Sequence, residues 1–193
     1  SELANSERFD SENVLLFLGK IAKTKGLNYL ISAMKNTHQK INLLIAGNGQ
    51  ERKSSENMIK ENNLEERIKF IGILPPWKIP SLIRSVKSVV VPEYNFGVPI
   101  HQSGIPYESM LCGVTPIVSE QIKGRYKDPA QIIRFVNPTD QRNFVRIIEN
   151  IINDEDLNNK ASVSYSLLRK TIGSHSDYVD QIENYLKKAA NSS

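Results

Sequence analysis

The chain has 193 residues, 39% of them hydrophobic, which suffices for one ordinary core but not for two full-sized domains. Its 25 Lys and Arg against 21 Asp and Glu leave a formal charge of +4, with the two signs interleaved, so no tract reads as a nucleic-acid surface. One cysteine, Cys112, and three scattered histidines provide neither an internal disulfide nor a zinc cluster, and the expectations are a cytoplasmic setting and no bound metal.

No apolar run approaches the roughly 20 residues that span a bilayer, and Ser1 to Asp10 is polar rather than signal-like. Residues 1–12 read as a linker remnant. Val14 to Leu18 is a short apolar run closed by Gly19, the pattern of a strand buried on both faces. Leu27, Leu30, Ile31 and Met34 then recur at helical spacing. Ile41 to Ala46, closed by Gly47, predicts a second strand, and Gln50 to Asn63 a second helix.

Ile68 to Ile71 predicts a third strand ending at Gly72, and Pro75-Pro76 introduces a helix bearing Ile79, Leu82, Ile83 and Val86. Trp77, just after those prolines, is expected to pack against the domain edge. Val89 to Val91 is the fourth strand, followed by a long Gly- and Pro-containing loop over 93–106, a short helix through Met110 to Cys112, and strands at Thr115 to Val118 and Ile132 to Val136. Beyond Thr139 only helices are predicted: one through Phe144 to Ile152, then Leu157 to Ile172 and Tyr178 to Leu186. Strands alternating with helices indicate an α/β domain over 13–172, a Rossmann-like, doubly wound parallel sheet of about six strands with C-terminal helices. Residues 173–193 are expected to form a closing helix and tail.

Ligands of open parallel sheets sit at the carboxyl ends of the strands, where backbone amides and helix N-termini converge. After the first strand stand Gly19-Lys20 and Lys23-Thr24-Lys25-Gly26, cations that as a group suit a diphosphate at this position, although any one lysine by itself reads more readily as a solvated loop residue. After the second stands Gly47-Asn48-Gly49, which fits either a close backbone approach to ligand or a tight turn. The third glycine of a dinucleotide fingerprint and a Walker A lysine are both missing. After the fourth come Glu93 and then Tyr107-Glu108-Ser109, where Glu108 suits a ligand contact or a helix cap.

In serial order these strand ends resemble the C-terminal domain of the retaining GT-B glycosyltransferases, the group 1 or family 4-like enzymes, from about Val14 to Ser119. The family's Gly-Arg, followed five residues later by Lys-Gly, is matched by Gly19-Lys20 and Lys25-Gly26. Leu43 to Gly49 resembles its strand ending in Gly-x-Gly, and Ile68-Lys69-Phe70-Ile71-Gly72 its strand touching the nucleobase. Tyr107 to Ser119 resembles the segment whose glutamate contacts the donor ribose. The resemblance implies Lys20, Lys25 and Glu93 as catalytic residues. It implies Gly19, Gly47, Gly49, Phe70, Gly72, Gly97, Tyr107, Glu108 and Ser109 as donor-binding ones.

The sequence departs from the family upstream of Glu108. Eight residues ahead of it, where a second glutamate is usual, stands Ile100, and Phe96-Gly97 is displaced; Glu93 is the candidate replacement. The implied function is binding of a UDP- or GDP-sugar, without cofactor, for transfer of a hexose. The alternative is a non-catalytic interaction module of the same fold. An acceptor-binding N-terminal domain is expected as the missing partner, with peripheral membrane association through that half and little transfer by this half alone.

Overall fold

The computed structural model describes residues 13–38, 40–94, 103–125 and 131–157. Among these residues six strands form one sheet: β1 (Val14–Leu18), β2 (Asn42–Ala46), β3 (Ile68–Gly72), β4 (Ser88–Val91), β5 (Thr115–Ser119) and β6 (Arg134–Val136). All neighbours are parallel, in the order β3-β2-β1-β4-β5-β6. The helices are α1 (Leu27–Met34), α2 (Arg52–Glu61), α3 (Ile79–Arg84), α4 (Ile105–Leu111) and α5 (Gln141–Ile152).

The apolar strand runs are explained by burial on both faces. Leu15, Phe17, Leu43, Ile45, Val90 and Ile117 pack with Leu30, Ile31 and Met34 of α1, Ile59 of α2, and Phe144, Ile148 and Ile151 of α5. Val14, Leu16, Val89, Val91 and Val118 enter a second cluster with Leu82 and Ile83 of α3, Met110 of α4 and Ile122. Each fully buried Leu or Ile contributes about 1.5–3 kcal/mol. The helices that close the two faces are short, so these stripes rather than intrinsic propensity hold them. Asp140 starts α5 by accepting a hydrogen bond from the Asn143 amide at 3.1 Å.

Element boundaries shift where a side chain or turn competes with the ladder. Ile41 is buried, but its amide donates to His38 O and its carbonyl accepts from Arg67 Nε, so β2 begins at Asn42. Ile132 and Ile133 are buried yet lie outside β6, because Arg134 donates to the carbonyls of Gln131 and Ile132 and curls the chain before it. Trp77 corrects the expected edge packing: it is 77% exposed, on a 3-10 turn at Pro76–Lys78 that buries none of its residues, while α3 docks through Leu82 and Ile83. Among the described residues no helix is long and apolar enough to cross a membrane. The expected linker at 1–12 and the helices beyond 157 lie outside the described residues.

Candidate functional site

Strand order reverses between β1 and β4, so the chain leaving β1 enters α1 on one face of the sheet and the chain leaving β4 leads to α4 on the other, the arrangement that places ligands in a crevice at the carboxyl ends of these strands. Backbone hydrogen bonds lock three strand ends side by side on one flank. The Gly19 amide donates to Ala46 O at 2.9 Å, Ile21 to Asn48 O at 2.9 Å, and Gly47 to Gly72 O at 2.7 Å. A Cβ on Gly47 would lie 1.8 Å from Gly19 O, and one on Gly49 would lie 2.1 Å from Ile21 O. The Gly-x-Gly segment is therefore demanded by two backbones in contact, whatever else it binds.

These ends line a cavity of 310 Å³. Gly19 and Lys20 form one wall, Ala46 to Asn48 a second, and Ile73, Leu74 and Ile79 the apolar end. Lys20 is exposed at its mouth. Ile73 and Leu74 carried no expectation and Ile79 only that of a helix residue; the signal for the first two was an apolar pair directly after the strand-ending Gly72. A hollow of 330 Å³ on the other face, between α1 and α2, includes Lys23, Leu27, Glu51 and Met58. It is lined by the β1–α1 segment and by Glu51 to Met58, with no residue that follows β4.

On the other flank, Lys25 Nζ meets Glu93 Oε1 at 2.6 Å, with the Glu93 side chain 2% and that of Lys25 22% exposed. Burying a carboxylate is costly unless it is paired, and the ammonium supplies that pairing. The two loops are also joined through backbone: Tyr94 N donates to Thr24 O at 2.9 Å, and the Tyr29 and Tyr94 rings meet edge to face at 5.2 Å.

Helix α4 closes the crevice. Ile105 Cδ1 approaches to 3.6 Å from where a Cβ on Gly19 would lie, which brings the helix start against the β1 loop. Glu108 is exposed, and its Oε1 lies 3.3 Å from the corresponding point on Gly104, so the carboxylate folds back over the first turn. Tyr107 is half-buried against the α3-side cluster. Ser109 is fully buried, and its hydroxyl donates to Val114 O at 2.8 Å, clamping the end of α4 to the start of β5.

Gly19, Lys20, Gly47 and the Gly72 carbonyl thus come together on one flank, and Lys25 with Glu93 on the other. Phe70 sits elsewhere, on the α2 face of β3 with the Arg52 guanidinium 4.9 Å above its ring. Ser109 turns into the core rather than toward the crevice. Gly97, like Phe96 and Ile100, lies outside the described residues. Burial raises the Cys112 thiol pKa, with Glu108 adding to the rise and Arg84 opposing it.

With this geometry in place, comparisons identify relatives. The family model described as Glycosyl transferases group 1 matches residues 2–164. The glycosyltransferase MJ1607 of Methanocaldococcus jannaschii is 30% identical over 119 residues, 60% of this chain and 29% of that protein. Alpha-D-kanosaminyltransferase of Streptomyces kanamyceticus is 27% identical over 127 residues, 64% of this chain and 32% of that protein.

Among solved structures, Anabaena HepE in complex with UDP-glucose superimposes with a TM-score of 0.77 at 19% identity, covering 100% of this chain and 51% of that one. The C-terminal domain of LpcC from Francisella tularensis does so with a TM-score of 0.67 at 22% identity, covering 86% of this chain and 93% of that one. Both share the fold. The chain spans about half the length of HepE, and its matched stretch spans under a third of either curated relative.

Proposed function

The chain belongs to the group 1 glycosyl transferases, and from that membership we propose that its crevice binds the nucleoside diphosphate of a sugar donor for a retaining hexosyl transfer. The observation that carries this reading is the cavity at the ends of β1, β2 and β3. It runs from the apolar Ile73, Leu74 and Ile79 to Lys20 and the backbone of Gly47 and Asn48, a gradient that suits a base at one end and phosphate at the other. HepE was solved with UDP-glucose, which makes UDP the first nucleotide to try and GDP the second.

In this reading Lys20 and Lys25 lie on either side of the diphosphate and stabilise the charge that grows on it as the glycosidic bond breaks. Lys20 does so as a compact point charge without the bidentate fork of an arginine. In the same reading Glu108, in the first turn of α4, accepts from ribose hydroxyls. The catalytic contribution is positioning and electrostatics, with no covalent nucleophile and no divalent metal assigned. Acceptor recognition is placed on a further domain, in keeping with the greater length of HepE, and any membrane contact would be made there.

Titration of the chain with UDP and GDP up to millimolar concentration, followed by heteronuclear NMR, tests the proposal. Shifts at Gly19, Lys20 and Gly47 are expected. A folded chain that responds to neither nucleotide would remove the donor-binding reading in favour of a non-catalytic module.

A further inference from the structure

We infer that Glu93 is a positioning residue: it fixes the Lys25 ammonium at the reversal of strand order and acts on the donor diphosphate only through that lysine. The inference rests on the donor-binding reading and assigns Glu93 a different task from sugar contact. With its side chain 2% exposed, Glu93 presents almost no surface to a sugar ring, whereas Lys25 keeps 22% of its side chain open. One ammonium hydrogen is committed to Glu93 Oε1 at 2.6 Å. An ammonium carries three donors in all, which is how one lysine serves a carboxylate and a phosphate together.

The supporting frame is rigid on both sides. Thr24, next to Lys25, accepts from the amide of Tyr94, next to Glu93, and Gly26 packs directly on the Pro92 carbonyl. The ion pair is thereby flanked by backbone contacts before and after each partner. A long, flexible lysine ordered in this way loses less conformational freedom when ligand arrives. The two lysines also divide the work. Lys20, exposed and in no salt bridge among the described residues, supplies uncompensated charge, while Lys25 supplies directed hydrogen bonds.

The test titrates the 193-residue chain with uridine, UDP and UDP-glucose, comparing wild type, Glu93→Gln, Lys25→Met and the double variant. Removing the Glu93 charge also strengthens long-range attraction for phosphate, so the salt is set at about 0.5 M, where that attraction is screened within a few ångströms. UDP is expected to bind about tenfold more weakly to each single variant and no more weakly to the double, as for two residues acting as one unit. Uridine affinity and the UDP-glucose to UDP ratio stay unchanged. A Glu93→Gln variant that binds UDP normally but loses UDP-glucose would mean direct sugar contact, and additive losses in the double variant would mean independent roles; either overturns the inference.

A second measurement needs no ligand. The acylation rate of the Lys25 amine, read by mass spectrometry against Lys20 in the same molecule, is expected to rise several-fold in Glu93→Gln as the side chain loses its carboxylate partner and opens to reagent. An unchanged rate overturns the inference even if Lys25→Met fails to fold. Loss of UDP binding in wild type with the acylation contrast intact instead refutes the donor reading and the positioning role with it, while the ion pair stands.

Discussion

Gly26 and Pro92 are in backbone contact across the crevice: a Cβ added to Gly26 would lie 1.9 Å from Pro92 O, and Gly26 itself holds φ at +71°. Both the space and the conformation exclude a side chain. Gly26→Ala is expected to cost about 3 kcal/mol, combining left-handed strain with a forced shift of one loop. In a domain of this size that lowers the melting temperature by roughly 6–12 °C. A calorimetric midpoint within a degree of wild type would mean that the loops separate easily.

Lys20 is predicted to act on phosphate alone. Lys20→Ala should weaken UDP about tenfold, leave uridine unchanged and flatten the dependence of UDP affinity on salt. Lys20→Arg, which restores the fork that pairs with two phosphate oxygens, should bind UDP at least as well as wild type. Equal losses for uridine and UDP in the alanine variant would place Lys20 away from the diphosphate.

The apolar end of the cavity makes the reciprocal prediction. Ile73 is 76% exposed, so the uncharged change Ile73→Asn should alter stability by no more than about 0.5 kcal/mol. It should nonetheless weaken uridine and UDP by the same factor, because what it removes is contact with the base. Calorimetric titration with both ligands decides the matter; a loss confined to UDP would contradict the proposed orientation.

Arg67 fastens the opposite, amino-terminal edge of the sheet. Its guanidinium donates to Thr37 Oγ1 at 2.7 Å, His38 O at 3.0 Å and Ile41 O at 3.0 Å, and burial lowers its pKa from the usual guanidinium value. Arg67→Ala removes this donor from three acceptors, of which His38 O keeps the Ile41 amide, and is expected to cost about 2–3 kcal/mol in urea unfolding, with UDP affinity unchanged because the site lies at the other edge.

Burial shifts the Cys112 thiol upward, Arg84 opposes it as the next largest influence, and Glu108 adds the smallest, again upward. The thiolate is the reactive form, so a raised pKa means less thiolate at any given pH and alkylation displaced to higher pH than for a free cysteine. Glu108→Gln removes one of the two upward influences and should move the rate profile back toward lower pH. An unmoved profile would place the Glu108 carboxylate away from Cys112.

The parts of this architecture legible in sequence were those that depend on neighbours a few residues away. β1 and β5 lie where their apolar runs are, since burial on both faces leaves a continuous run with a turn residue at its end. The starts of β2 and β6 were not legible. Ile41 and Ile132 are as apolar as strand residues, and only the hydrogen bonds of Arg67 and Arg134 take them out of the ladder. Trp77 was misplaced for a related reason: hydrophobicity does not say whether anything lies opposite, and among the described residues Trp77 stays 77% exposed.

The sequence by itself determined the alternation of strands and helices, the glycines closing the strands and a supply of lysines at those ends, because periodicity and turn chemistry are local. The tertiary structure alone decided which ends are neighbours. Lys25 and Glu93 are 68 residues apart in the chain, and their contact exists only because β4 pairs with β1 on the side away from β2. The same order gathers Lys20, Asn48 and Leu74 around one cavity and turns Phe70 and Ser109 away from it. Strand order is set by packing of both sheet faces over the whole domain, and no short stretch of residues encodes that sum.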